Sequence, residues 1–268
     1  MRNLIEFASK PLRERIKAYK NVHKGESCYL FGDGVSIKYF DLNHFKDKIS
    51  IPCGFLLFHN DFNVLNVPYA LLIETYYFYP FTRLNRNATP PRKISLNKIQ
   101  QQYRHEISKN EKIEFFINLS NYPVLFKKNI IYVYKDIPDD SLKNDFISNK
   151  FNCYEGSLRA QILLAIYMGF DEVYLVGHDY TINPIKSHHW YERGDGVFVP
   201  IESYNEDFLS YAKDFINITT ITVDNQTSNL NHIKYQDLFG AEVHYKENTE
   251  LLNPKYLDIL ATQPYNIF

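Results

Sequence analysis

Residues 153–181, CYEGSLRAQILLAIYMGFDEVYLVGHDYT, decide how this chain is put together. The small-residue turn Glu155-Gly156-Ser157 opens a run in which Leu158, Ile162, Ala165 and Ile166 recur at helical spacing. Gly169 follows, a residue free to take the left-handed conformation that closes a helix. The β-forming run 172–176 then stops at Gly177-His178-Asp179-Tyr180. A helix that feeds a strand through so short a loop is half of a parallel α/β unit. Ligands of such sheets bind beyond the carboxyl ends of the strands. The 177–180 cluster and the Gly156-Ser157 helix start are therefore expected on one rim. That rim is where chemistry is expected.

Upstream, SCYLF at 27–31 is a strand, followed by Gly32-Asp33-Gly34-Val35-Ser36 and a short amphipathic piece ending near Phe45. Glycines directly after a strand let backbone approach a phosphate or ribose, and a following helix start offers free N–H groups. A side chain at Gly34 is expected to fill that ligand space while leaving the fold intact. The spacing is only GxG, so a plain tight turn is the alternative. Further strands are expected at 49–58 (broken by Pro52-Cys53-Gly54), at 67–73 before Glu74, and at 112–118 and 129–134. A helix at 205–215 and a strand at 219–223 repeat the logic of the centre. YLFGDG and YLVGHD echo each other. The expected class is α/β, a Rossmann-like α/β/α sandwich around a mostly parallel sheet, with a lid from 76–109 or 181–204. The expected organisation is a basic N-terminal helix at 1–24, a nucleotide-sugar-binding catalytic domain at 25–240 and a C-terminal tail at 241–268 packed on that domain.

Composition narrows the function. A net charge of −1 provides no basic field for nucleic acid. Cys28, Cys53 and Cys153 are odd in number and form no CxxC, which fits buried thiols in a reducing cytoplasm rather than disulfides or a zinc site. No apolar stretch reaches the roughly 18 residues of a membrane span, and no signal peptide is visible. Arg13, Arg15, Lys17, Lys20 and Lys24 interleave with Leu12, Ile16 and Tyr19. That pattern suits a solvated helix on the domain edge, or peripheral contact with the anionic inner membrane.

Two blocks carry a family resemblance. GESCYLFGDGVSIKYFDL at 25–42 resembles the opening of the bacterial sialyltransferases of the Campylobacter and Haemophilus surface-glycan type. Residues 153–180 resemble their TSG-containing helix and the following strand with its G-x-D-[FY] end. The same blocks occur in the broader MptE-like group, named after an archaeal hydroxymethylpterin diphosphokinase. That group also has a PxYxxxxD-like strand, matched by VPYALLIE at 67–74, a downstream HF pair matched by His189-Trp190, and a strand end that NQTSNL at 225–230 follows loosely. Asp33 stands where the sialyltransferases have asparagine, Val35 replaces proline, Cys53-Gly54 falls at another asparagine, Glu74 replaces aspartate, and Tyr180-Thr181 replaces the FY pair.

The resemblance implies a glycosyltransferase that moves a sugar, sialic acid or a related CMP-activated sugar, onto a bacterial surface glycan or glycolipid such as lipooligosaccharide or capsule. It implies nucleotide binding by Gly32, Asp33, Gly34, Ser36, Gly54, Glu74, Gly156, Ser157, Gly177 and Tyr180. No cofactor is required in that case, and homo-oligomerisation is left open. Such transfer needs a base for the acceptor hydroxyl, a role suited to histidine. His189 is the first candidate, His188 the second and Asp179 the third. With Trp190 and Tyr191, the two histidines offer rings able to pack on sugar faces. In the alternative, Asp33, Glu74 and Asp179 hold Mg²⁺ on a diphosphate, as an MptE-like diphosphokinase using ATP requires. No GxxxxGK[ST] is present. A non-catalytic glycan-assembly module is the third possibility.

Overall fold

The strands are β1 (Ser27–Phe31), β2 (Ile49–Pro52), β3 (Tyr69–Leu72), β4 (Glu114–Asn118), β5 (Ile130–Val133), β6 (Glu172–Val176), the short pair β7 (Ile185–Lys186) and β8 (Phe198–Val199), β9 (Asn217–Thr222) and β10 (Asn231–Lys234). They come from a computed structural model that describes residues 9–79, 90–133, 156–199, 205–224 and 226–260. β1 lies between β2 and β6, and β6, β9 and β10 continue outward, every pair parallel. β3, β4 and β5 form a second parallel set. Single bridges, Ile49 to Asn66 and Cys53 to Leu71, attach it beside β2. The order is thus β10-β9-β6-β1-β2-β3-β4-β5. The chain steps outward from β1 to β5 on one side, then resumes at β6 on the other. Strand order reverses between β1 and β6, and the crevice outside their carboxyl ends is where open α/β sheets bind ligands.

β1, β4 and β5 are buried along nearly their whole length, as expected of a parallel sheet covered on both faces. Their side chains alternate between two cores. Tyr29 and Phe31 face one, Cys28 and Leu30 the other. Helix α3 (Ser157–Met168) packs Ile162, Leu163 and Ala165 into the second core. It closes at Gly169, whose φ is 87° and whose N–H reaches the carbonyls of Ala165 and Ile166. The α/β architecture expected from residues 153–181 is the one observed.

Several elements differ from the expectation. The basic segment is not one helix: α1 (Lys10–Glu14) gives way to a 3-10 turn at Arg15–Tyr19. Arg15 donates to the carbonyls of Ile130 (2.8 Å) and Lys128 (3.0 Å), covering the edge strand β5. None of the described helices is long and apolar enough to cross a membrane. The piece after Gly34 is two 3-10 turns, Val35–Tyr39 and Leu42–Phe45, and the helix expected at 205–215 is α4 (Glu206–Ala212). In the 76–109 excursion, α2 (Pro90–Lys109) buries Ile99, Tyr103 and Ile107 and is docked on the core. Beyond β9 the chain forms β10 and α5 (Tyr235–Phe239), and the expected tail carries α6 (Asn248–Leu251) and α7 (Pro254–Leu260). Cys28 and Cys53 are free and buried. Cys153, Tyr134 and the Glu155 turn position lie outside the described residues.

Candidate active site

β1 and β6 run in register, Phe31 beside Val176, so Gly32 and Gly177 leave the sheet together. Gly32 N–H donates to Val176 O (2.8 Å) and Gly34 N–H to Gly177 O (2.7 Å). The echo between YLFGDG and YLVGHD is therefore two adjacent strand ends packed backbone to backbone. A Cβ on Gly32 would stand 2.5 Å from Gly177 O, and one on Gly34 would stand 2.5 Å from the Asp179 Cγ and Oδ2. Gly34 has an ordinary φ of −64°. Space, not backbone strain, demands glycine there. The expectation that a side chain at 34 would spare the fold is overturned, because Asp179 already fills the place assigned to a ligand.

Asp179 is buried and turned inward. Its Oδ2 accepts from Ser36 N–H (2.9 Å) and its Oδ1 from Ser36 Oγ (2.5 Å). Burial raises its pKa and the Ser36 donors pull it back. The Ser36 N–H expected to be free for a phosphate is thus capped by Asp179, which corrects that assignment. Tyr180 sits half-buried in the following turn, Asp179–Thr181.

On the other side of the Gly34 turn, Asp33 accepts from Phe55 N–H at 3.1 and 3.0 Å and from Trp190 Nε1–H at 3.1 Å. Cys53 feels the charges of Asp33 and Glu74 and is hydrogen-bonded to the Ser157 side chain. Gln161 Nε2 donates to Phe31 O (2.9 Å) and Ile51 O (2.7 Å), which sets the start of α3 at the ends of β1 and β2. Gly156, at its N-cap, has a φ of 95° with open space beside it. So Gly32, Asp33, Gly34, Gly54, Glu74, Gly156, Ser157 and Gly177 do share one rim. The three carboxylates do not gather: Asp33 and Asp179 face different donors. No group of three or more His, Cys, Asp or Glu able to hold a metal occurs among the described residues.

The segment after Asp179 returns over this rim. β7 and β8 pair antiparallel, and between them Trp190 N–H donates to Asp33 O (3.0 Å) while His189 bridges Gly34. His189 stacks on Tyr191 (5.0 Å between centroids, 9° between planes). Its Nδ1 lies 3.4 Å from Glu192 Oε2, which also accepts His189 N–H (2.9 Å). Burial pushes Glu192 up, but its bonds from His189 outweigh that and keep it ionised. The charge of His189 reaches both Asp33 and Asp179. His188 is exposed, with a φ of 85°. Trp190 and Tyr191, expected as sugar-facing rings, are instead buried against His59 and Phe55. They anchor the loop.

Sequence reasoning missed Lys38. Its ammonium is fully buried and donates to Glu192 O (2.5 Å), Gly194 O (2.6 Å) and Glu247 Oε1 (3.0 Å). It ties the histidine loop to the capping box of α6. A lysine amid apolar residues in IKYF is the one local hint.

With this geometry in hand, the chain can be set beside known proteins. No protein-family model matches it, and no curated protein matches it significantly. Solved structures similar to it include sialyltransferases. A variant of sialyltransferase CstII in complex with CMP shares 15% identity and a TM-score of 0.44, covering 88% of this chain and 99% of that one. CstII from Campylobacter jejuni in complex with CMP gives 16%, 0.42, and 86% and 94%. CstII with a trisaccharide acceptor and CMP gives 15%, 0.40, and 86% and 97%.

Asp33 supplies a prediction. Burial lifts its carboxyl from 3.8 to about 6, opposed by the charge of His189 and the Phe55 N–H. A raised folded-state pKa means ionisation works against the fold. The penalty is absent below 3.8, grows as pH rises towards about 6 and is complete above it. Asp33→Asn keeps an acceptor oxygen and removes the charge. It should stabilise the protein above that range by about 1–3 kcal/mol and flatten the acid-side dependence. Urea unfolding at a series of pH values checks this. A variant less stable at neutral pH would show that the charge is needed by its donors.

Proposed function

We propose that the protein transfers a sugar from a nucleotide-activated donor, a CMP-sugar, to a glycan acceptor of a bacterial surface saccharide. The observation that carries this is His189, backed by Glu192 at Nδ1 and folded onto the Gly34 turn where the strand order reverses. The Glu192 carboxylate lies 3.4 Å from Nδ1; a neutral ring with its proton on that side would leave the Nε2 lone pair to accept the acceptor's hydroxyl proton. Glu192 then stabilises the imidazolium. The donor phosphate fits the start of α3, where Ser157 and the unpaired N–H groups of the first turn meet growing negative charge. The backbone at Cys53-Gly54 borders the same space. The motif resemblance of 25–42 and 153–180 points to the same class.

A thermal-shift panel of CMP, UDP, GDP and ATP, each with and without Mg²⁺, tests the proposal. Stabilisation follows ligand concentration over dissociation constant. CMP should raise the melting temperature without metal. Stabilisation by ATP only with Mg²⁺ would favour the diphosphokinase instead, and a flat response to all four would favour the non-catalytic module.

A further inference from the structure

Tyr191 and Glu192 flank the His189 ring, one stacked on it and the other with its carboxylate 3.4 Å from Nδ1. Each is tied through its main-chain carbonyl to a side chain from a remote part of the chain. Asn248 Nδ2–H donates to Tyr191 O (2.8 Å), and the Lys38 ammonium donates to Glu192 O (2.5 Å). Lys38 also donates to Gly194 O (2.6 Å), while Glu247 Oε1 accepts Gly194 N–H (3.1 Å). The main chain of 191–194 thus rests on Lys38, Glu247 and Asn248.

Packing alone does not call for a lysine at position 38. Methionine would fill the same apolar space without a charge to bury. A buried ammonium is costly unless it is paired and its N–H groups are bonded. Lys38 is fully buried, and three acceptors meet its three donors. Two of them are loop carbonyls, so what the lysine fixes is the loop. The third is Glu247. Burial pushes that carboxyl up, but the Asn248 N–H and the Lys38 ammonium outweigh it and hold it at about 2. Main-chain bonds keep the partners together: Lys246 N–H donates to Lys38 O (2.9 Å) and His244 N–H to Tyr39 O (3.3 Å).

We propose that Lys38, with Glu247 and Asn248, is the positioning group for the base: it holds the main chain of 191–194 so that Tyr191 and Glu192 set the His189 ring, and turnover depends on this tail segment. The inference rests on the glycosyl-transfer proposal above.

The test uses the full chain labelled with ¹³C,¹⁵N-histidine. Stacking on Tyr191 should displace the His189 ring-proton resonance upfield, and His189→Ala identifies the peak. His23, stacked on Phe170 (4.6 Å between centroids, 10° between planes), serves as an internal reference. Lys38→Met and, separately, Asn248→Ala should abolish the His189 displacement and leave that of His23. The second variant leaves the buried ammonium paired, so it reads the tie even where Lys38→Met folds poorly. The CMP-induced thermal shift should persist in both. With CMP-N-acetylneuraminic acid as donor and lactose as acceptor probe, kcat should fall about 10- to 100-fold and the donor KM should stay within a few-fold, as expected when a base is misplaced by about an ångström. An unchanged His189 resonance in both variants would overturn the proposal. So would loss of the His23 displacement together with that of His189, which marks general loosening, or an unchanged kcat once the His189 ring has moved. Absence of both a CMP shift and CMP release in the unaltered protein would remove the transfer proposal and the catalytic meaning of the tie, while the His189 resonance would still report whether the tie holds the ring.

Discussion

Gly54→Ala is expected to destabilise the protein by about 3–8 kcal/mol. Gly54 has a φ of 65°, and an added Cβ would lie 1.7 Å from Asp33 Oδ2. Two costs combine. The left-handed backbone alone costs alanine about 1–2 kcal/mol. The overlap then forces the Asp33 carboxylate off Phe55 N–H and Trp190 Nε1–H. Donors left unpaired in a buried site cost about 1–3 kcal/mol each. The total approaches the roughly 5–15 kcal/mol by which whole domains are stable. The effects should be non-additive, because shared contacts couple neighbours. In an Asp33→Ala background the clash is gone, and adding Gly54→Ala should cost about the strain alone. Denaturant unfolding of the two single variants and the double variant reads this directly. A Gly54→Ala protein as stable as the unaltered one would show that the turn relaxes freely, and that Asp33 is not locked by it.

The pattern of what the chain declares in advance follows from range. α3 and β6 were legible to the residue, because helical spacing, Gly169 and a β-forming run all lie within one short window. The centres of β1 to β5 were legible for the same reason: buried parallel strands are local apolar runs. The glycine echo was visible, but its cause was not. Gly32 and Gly177 meet only because α3 returns the chain beside β1. The contacts that define the site are long in sequence. Asp179 and Ser36 are 143 positions apart, and Lys38 and Glu247 are 209 apart. Nothing local separates an aspartate that caps a turn from one that binds a ribose. Trp190 and Tyr191 illustrate the reverse error. Large rings in a polar loop suggest an exposed binding face, yet such a loop stays in place only if some rings are buried. α5, α6 and α7 escaped notice because they span four to seven residues, too few for periodicity to register.

The other large effect concerns turnover. His189→Ala should lower kcat by about 10² to 10⁴, the usual worth of a positioned general base. Two features make His189 the better candidate than its neighbours. Its ring stacks on Tyr191 with Nδ1 3.4 Å from the Glu192 carboxylate, whereas His188 is exposed. Asp179 is bound through both oxygens to Ser36. His188→Ala should therefore leave kcat within a few-fold. CMP affinity should barely change in either variant, because the base meets the acceptor and not the donor. Glu192→Gln keeps the shape but removes the negative charge 3.4 Å from Nδ1, so it should reduce kcat less than His189→Ala while leaving CMP binding intact. Transfer rates and CMP dissociation constants, measured separately for the three variants, discriminate the outcomes. Near-normal turnover in both histidine variants would move the base elsewhere, with Glu74 next on the same rim. Loss of CMP affinity in His189→Ala would make the loop a nucleotide clamp, and the stacking on Tyr191 would then be its working contact.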